Sequence, residues 1–99
     1  MIEHIVLLKL KAGVTEAQTQ ALADGLDKLK QVVPGMLEVS AGYNNSSEGK
    51  GAGFAYGFIV KFSDAAARDG YVPHPEHQEL AKTLVRPIVD DVIVFDYEH

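Results

Sequence analysis

Branched apolar residues dominate IEHIVLLKLK at positions 2–11, a run that stops at Ala12-Gly13 and predicts a first strand. At period two, one face carries Ile2, His4, Val6, Leu8 and Leu10, and the other carries Glu3, Ile5, Leu7, Lys9 and Lys11. Both faces are therefore apolar in mid-strand. The run Thr15-Glu16-Ala17-Gln18 then has the form of a capping box, in which the threonine oxygen accepts from a free backbone N–H and the glutamine reaches back. It predicts a helix over 16–32, with an apolar stripe of Ala21, Leu22, Leu26, Leu29 and Val33, ended by Pro34-Gly35. A glycine inside a helix costs about 1 kcal/mol relative to alanine, so Gly25 points to close packing.

MLEVSAGY at 36–43 predicts a second strand, and the apolar-poor NNSSEGKGAG after it predicts a mobile hairpin loop. FAYGFIVKF at 54–62 predicts a third strand with Phe54, Tyr56, Phe58, Val60 and Phe62 on one face. Ser63-Asp64 caps a short helix through AAARDGY, HPEHQELAKTLVRPIVDD continues as a second helical stretch, and VIVFDYE closes the chain as a strand, with Asp90-Asp91 between helix and strand in solvent. The order is βαββαβ. With right-handed crossovers this is an α+β fold, a ferredoxin-like protomer with a four-stranded antiparallel sheet covered by helices on one face, in a single domain over 1–99. The other sheet face would carry Ile5 and Leu7 from the first strand and Ile93, Phe95 and Tyr97 from the last. An exposed apolar patch of that kind marks an interface, so the pattern predicts a homodimer joined sheet to sheet through Ile5, Leu7, Ile93 and Phe95.

Composition narrows the function. A net charge of −5, with nine scattered Lys and Arg, gives no basic stripe for nucleic acid. The absence of cysteine removes thiolate chemistry and disulfides. No apolar run approaches the roughly 18 residues of a membrane span, and the first strand begins too early for a signal peptide, so the expectation is a soluble cytoplasmic protein with no membrane partner. The glycines of the 42–53 loop fit neither phosphate-binding template: Lys50 is followed by Gly51 rather than Ser or Thr, and Phe54 occupies the place of the third dinucleotide glycine.

The chemistry-bearing stretch is YVPHPEHQEL at 71–80. Much of it is explained by a helix start: Pro75 suits the first helical position, His74 lies at or beside the cap, and Glu76 and Glu79 favour the positive end of the dipole. His77 lies in the first turn, three residues before Leu80, near the face that must turn to the sheet. The dipole disfavours its charged form and the neighbouring glutamates favour it, which places its titration near neutrality and suits a general base. A metal site built from His4, His74 and His77 has no supporting motif. Tyr71 fits a core position beneath the helix, and His4 fits a buried histidine among apolar neighbours.

Taken together, IEHIVLLKLKAGVTEAQ, GFAYGFIVKF, YVPHPEHQE and VIVFDYE resemble the stress-responsive α/β-barrel (Dabb) domain family, in order and over nearly the whole chain. The resemblance implies a dimeric α+β barrel. The family includes a cofactor-independent cyclase that works with a tyrosine and a histidine, which implies Tyr71 and His77 as a catalytic pair. His77 would be general base on an acidic C–H, Tyr71 the donor to a substrate carbonyl, and His4 a pocket histidine. It implies no cofactor and a pocket between sheet and helices lined by Val6, Leu8, Leu22, Leu26, Phe58, Leu80 and Val92. The chain departs from that cyclase in carrying Leu22, Ala23 and Leu26 where the cyclase has bulky aromatics, and in an inserted residue between His77 and the last strand, so the substrate does not carry over. Two functions fit these residues. One is a small-molecule site with cyclase- or lyase-like acid–base chemistry, and the other is a non-catalytic stress-type homodimer whose motif is structural. A third reading is a cofactor-free monooxygenase or a heme-linked enzyme, since related dimeric barrels do such chemistry; for heme, His77 would have to direct an unpaired nitrogen into a large cavity.

Overall fold

The computed structural model describes residues 1–99. Its elements are β1 (Ile2–Leu10), α1 (Glu16–Leu29), β2 (Met36–Tyr43), β3 (Tyr56–Phe62), α2 (Ala65–Tyr71), α3 (Pro75–Leu80) and β4 (Val89–Glu98), with one π-helical turn (Ala81–Val85) and one 3-10 turn (Arg86–Ile88) before β4. The strands form one antiparallel sheet in the order β2-β3-β1-β4. This is the ferredoxin-like α+β arrangement that the strand and helix order implies.

Local signals behave as their chemistry dictates. Thr15 Oγ1 accepts from the Gln18 amide at 3.3 Å and Gln18 Oε1 accepts from the Thr15 amide at 2.8 Å, closing the capping box. Asp64 Oδ1 accepts from the Ala67 amide at 2.8 Å and starts α2. Helix α1 buries Thr19, Leu22, Leu26 and Leu29, while Ala21, expected in this stripe, faces solvent. A Cβ at Gly25 would stand 3.0 Å from Leu80 Cδ1 and 3.1 Å from Leu84 Cδ1, so the glycine is what lets α1 approach the α3 segment.

Three boundaries differ from the pattern by two residues or more. Helix α1 ends at Leu29 rather than 32, because Lys30, Gln31 and Val32 turn back on the carbonyls three residues behind them and Gly35 takes a left-handed φ of 80°. Strand β3 begins at Tyr56 rather than 54: the Phe54 amide closes a turn on Gly51, and its ring lies under the Lys9 ammonium at 5.3 Å. Strand β4 begins at Val89, not 92, because Val89 and Asp91 find partners in Leu10 and Lys9 of β1, so Asp90-Asp91 lies inside the strand.

The core lies between the sheet and the helices, where Leu8, Leu22, Leu26, Val60, Phe62 and Tyr71 are all but closed to solvent. The opposite sheet face is uncovered. Across the four strands it presents Glu38-Lys61-Glu3-Tyr97 at one end, then Ser40-Ile59-Ile5-Phe95, then Gly42-Gly57-Leu7-Ile93. Phe95 is 60% exposed there, the most of any large apolar side chain. No helix is long and apolar enough to cross a membrane.

Candidate active site

The site grows from the joint between α2 and α3. Helix α2 ends at Tyr71 with Val72 as its cap, and His74 opens α3 by accepting the Glu76 amide on its own Nδ1 at 3.1 Å, with Pro75 in the first turn. His74 is thus occupied as a cap. Its placement leaves Tyr71 pointing inward and His77 lying over it, with ring centroids 4.1 Å apart. Tyr71 also meets Phe62 at 5.0 Å and His4 edge-on at 5.8 Å.

His77 is held by its Nδ1, 2.9 Å from the Val72 carbonyl oxygen, an acceptor it shares with the Gln78 side-chain amide at 2.8 Å. A carbonyl can only accept, so in the neutral ring the proton sits on Nδ1 and the lone pair on Nε2. Burial lowers the His77 pKa, against the Val72 bond, which favours the proton; His4 and His74 lower it further. The half-buried ring is therefore a neutral base at pH 7, and burial, not the balance of dipole and glutamates expected from the sequence, sets its titration.

Tyr71 is 1% exposed, and burial pushes its phenol well above the ordinary value, so it is a donor and not a base. No group of the protomer hydrogen-bonds its hydroxyl. Since no fully enclosed polar atom is left without a partner, that oxygen keeps contact with solvent-accessible space.

His4, 7% exposed, places Nδ1 2.7 Å from Asp96 Oδ1, and Arg68 reaches the other carboxylate oxygen at 3.4 Å. Neither Asp96 nor Arg68 stood out in the sequence. The available signal was Asp96 itself, a carboxylate within VIVFDY on the same strand face as Val92 and Val94, directly opposite His4 on β1.

The remaining expected residues separate into two groups. Val6, Leu8, Leu22, Leu26, Phe58 and Leu80 join Tyr71 in one continuous core, whereas Val92, on the edge strand, is 39% exposed. The largest cavity, about 490 Å3, lies elsewhere, beneath the 44–54 loop. No set of three His, Asp or Glu side chains is gathered as metal ligands would be, and the Nδ1 atoms of His4, His74 and His77 are each engaged by a different partner.

The stress responsive A/B barrel domain matches residues 2–99, a span that includes His4, Tyr71, His77 and Asp96. The chain belongs to this family. It is 26% identical over 96 residues to olivetolic acid cyclase of Cannabis sativa, covering 97% of this chain and 94% of the cyclase. A crystal structure of an Arabidopsis thaliana protein superposes with a TM-score of 0.92 at 27% identity, covering 100% of this chain and 95% of that one. A dimeric ferredoxin-like protein of unknown function from Jannaschia sp. CCS1 superposes with a TM-score of 0.84 at 33% identity, covering 99% and 98%. Over nearly its whole length, then, this chain is similar in sequence to a cyclase and in fold to a dimeric ferredoxin-like protein.

Proposed function

We propose that the protein is a homodimer that binds a small, largely apolar molecule against Tyr71 and His77 and performs cofactor-independent acid–base chemistry on it, of the cyclase or lyase kind. The observation that carries this reading is the Tyr71–His77 pair itself: a neutral imidazole with its tautomer fixed by Val72, its ring centre 4.1 Å from that of a phenol that stays protonated and is unclaimed by the protein. His77 Nε2 would take a proton from carbon or oxygen, and the Tyr71 hydroxyl would donate to the oxygen that gains charge. The full-length likeness to a cyclase favours a substrate with a carbonyl beside an acidic C–H. His4, oriented by Asp96, would face the same molecule, and Val6, Leu8, Leu22, Leu26, Phe58, Leu80 and Val92 would hold its apolar part, with side chains moving apart to admit it.

The test is an NMR titration of His77 against phenolic and polyketide-like ligands, in the wild type and in Tyr71→Phe. Ligand-dependent shifts that vanish in Tyr71→Phe support the pair. A ring indifferent to every ligand favours the second reading, a non-catalytic homodimer, which draws its support from the closed packing of Leu8, Leu22 and Leu26.

The dimer would form through the uncovered sheet face, around Ile5, Leu7, Ile93 and Phe95, where an apolar band is bounded by the Glu38-Lys61-Glu3 row. Ile5→Glu or Phe95→Glu should yield a folded monomer, measured by sedimentation. A wild-type monomer at high concentration would end this part of the proposal.

A further inference from the structure

Asp96 is a carboxylate with two nitrogen partners. His4 Nδ1 lies 2.7 Å from its Oδ1 and Arg68 Nη1 lies 3.4 Å from its Oδ2, and the Asp96 side chain is only 21% exposed. A carboxylate withdrawn from water needs a positive charge beside it. A doubly protonated His4 could supply that charge. Arg68 already does, because a guanidinium is charged at every working pH and its weak hydration lets it enter such a place at lower cost. Arg68 Nε also donates to Asp69 Oδ1 at 3.0 Å, on the exposed side, where water and salt screen the contact.

We infer that Arg68 is a positioning residue: by balancing Asp96 it keeps His4 a neutral imidazole, with its proton on Nδ1 and a free lone pair on Nε2 that accepts from a hydroxyl group of the substrate. This rests on the acid–base reading of the site and adds a feature of the substrate to it. A carboxylate only accepts, so His4 Nδ1 donates to Asp96 and the neutral ring has its lone pair on Nε2. No group of the protomer bonds that nitrogen. Since no fully enclosed polar atom is left without a partner, Nε2 keeps contact with accessible space, as the Tyr71 hydroxyl does. The His4 and His77 rings both pack against Tyr71, with centroids 5.8 Å and 4.1 Å from its own. The site therefore offers one phenol donor and two acceptor nitrogens. His77 takes the proton in flight and Tyr71 serves the oxygen that gains charge, which leaves His4 unmatched unless the substrate brings a second donor. A site built around a substrate hydroxyl discriminates strongly against the analogue that lacks it.

The charged and titratable groups that face His4 are Asp96 on β4, Arg68 and Tyr71 on α2, and His77 on α3. Tyr71 and His77 are neutral at pH 7, so the field on His4 is set by Arg68 and Asp96 together. Without Arg68 the Asp96 charge would stand unbalanced and draw a second proton onto His4. Nε2 would then donate instead of accept, and the polarity of that side of the site would reverse.

The test reads the His4 ring nitrogens by long-range nitrogen–proton correlation NMR, with the ring assigned through His4→Gln. In the wild type at pH 7, Nδ1 should carry the proton and Nε2 should be bare. Arg68→Met, which keeps the aliphatic stem, should raise the His4 titration midpoint by about one pH unit, the effect of one close charge. Arg68→Lys should restore most of the wild-type value. A purely structural Arg68 would lower the melting temperature and leave the midpoint where it was. Phenol should shift the wild-type Nε2 resonance, and anisole, which has no hydroxyl, should not. A wild-type His4 doubly protonated at pH 7, or a midpoint indifferent to Arg68→Met, would overturn the inference and leave the Tyr71–His77 pair standing. The first of these is read without any variant, so an Arg68→Met that does not fold cannot shield the inference. Equal shifts with phenol and anisole would overturn the hydroxyl assignment. A protein in which neither His4 nor His77 responds to any ligand would remove the acid–base reading and the role of Arg68 in it together.

Discussion

His4 and Asp96 are 92 positions apart in the chain, yet His4 Nδ1 lies 2.7 Å from Asp96 Oδ1. The contact exists because β1 and β4 pair antiparallel in a register that sets these two residues side by side. Asp96→Ala strands the His4 Nδ1–H in an enclosed site, and an unsatisfied buried donor costs about 1–3 kcal/mol. A lowered urea midpoint with an unchanged slope is the expected result. Asp96→Asn, which keeps an acceptor oxygen, should lose less; equal losses would show that the charge, and not the hydrogen bond, is what His4 needs.

Tyr71 separates packing from chemistry. Its hydroxyl has no protein partner, so Tyr71→Phe should change stability by less than about 1 kcal/mol, while abolishing any ligand response that depends on the donor. Tyr71→Ala removes a fully buried ring and should cost about 3–5 kcal/mol. Melting curves of the two variants check this; a large loss in Tyr71→Phe would reveal a partner for the hydroxyl.

His77 gives a pH dependence of definite sign. Burial holds its folded-state pKa below the ordinary 6.5, so between the two values the unfolded chain binds more protons than the folded one. Stability therefore rises with pH through that window, is complete above 6.5, and is lost on acidification below it. The melting temperature of His77→Gln should fall less steeply than the wild type's over the same acid range. Parallel curves would mean that other groups dominate acid sensitivity.

Two glycines with the same backbone differ in surroundings. Gly13 has φ 84° and open space, whereas a Cβ at Gly35, φ 80°, would lie 2.5 Å from the Ala67 Cβ and 2.8 Å from Ser63 Oγ. Gly13→Ala should cost the left-handed penalty of about 1–2 kcal/mol. Gly35→Ala should cost clearly more, because the turn out of α1 must also move away from α2. Similar losses in chemical denaturation would show that the joint yields freely.

The sequence by itself determined what short-range chemistry decides. Thr15 and Gln18 close their capping box within one turn, Asp64 starts α2 on the amide three residues ahead, and Pro75 fits the start of α3 whatever lies opposite. Period-two alternation assigned Val6 and Leu8 to one sheet face and Ile5 and Leu7 to the other, because a strand's faces are fixed by the chain alone. The tertiary structure decided what depends on partners distant in sequence. Pairing with Leu10 and Lys9 drew Val89 and Asp91 into β4, against the local preference of two aspartates. Arg68 and Asp96 joined His4 only through strand register. His77 was legible as a candidate base, but the burial that lowers its pKa and the Val72 carbonyl that fixes its tautomer arise only when the α2–α3 joint packs onto the sheet. Desolvation has no sequence signature, since it is set by which surfaces meet, and surfaces meet through contacts that no local window contains.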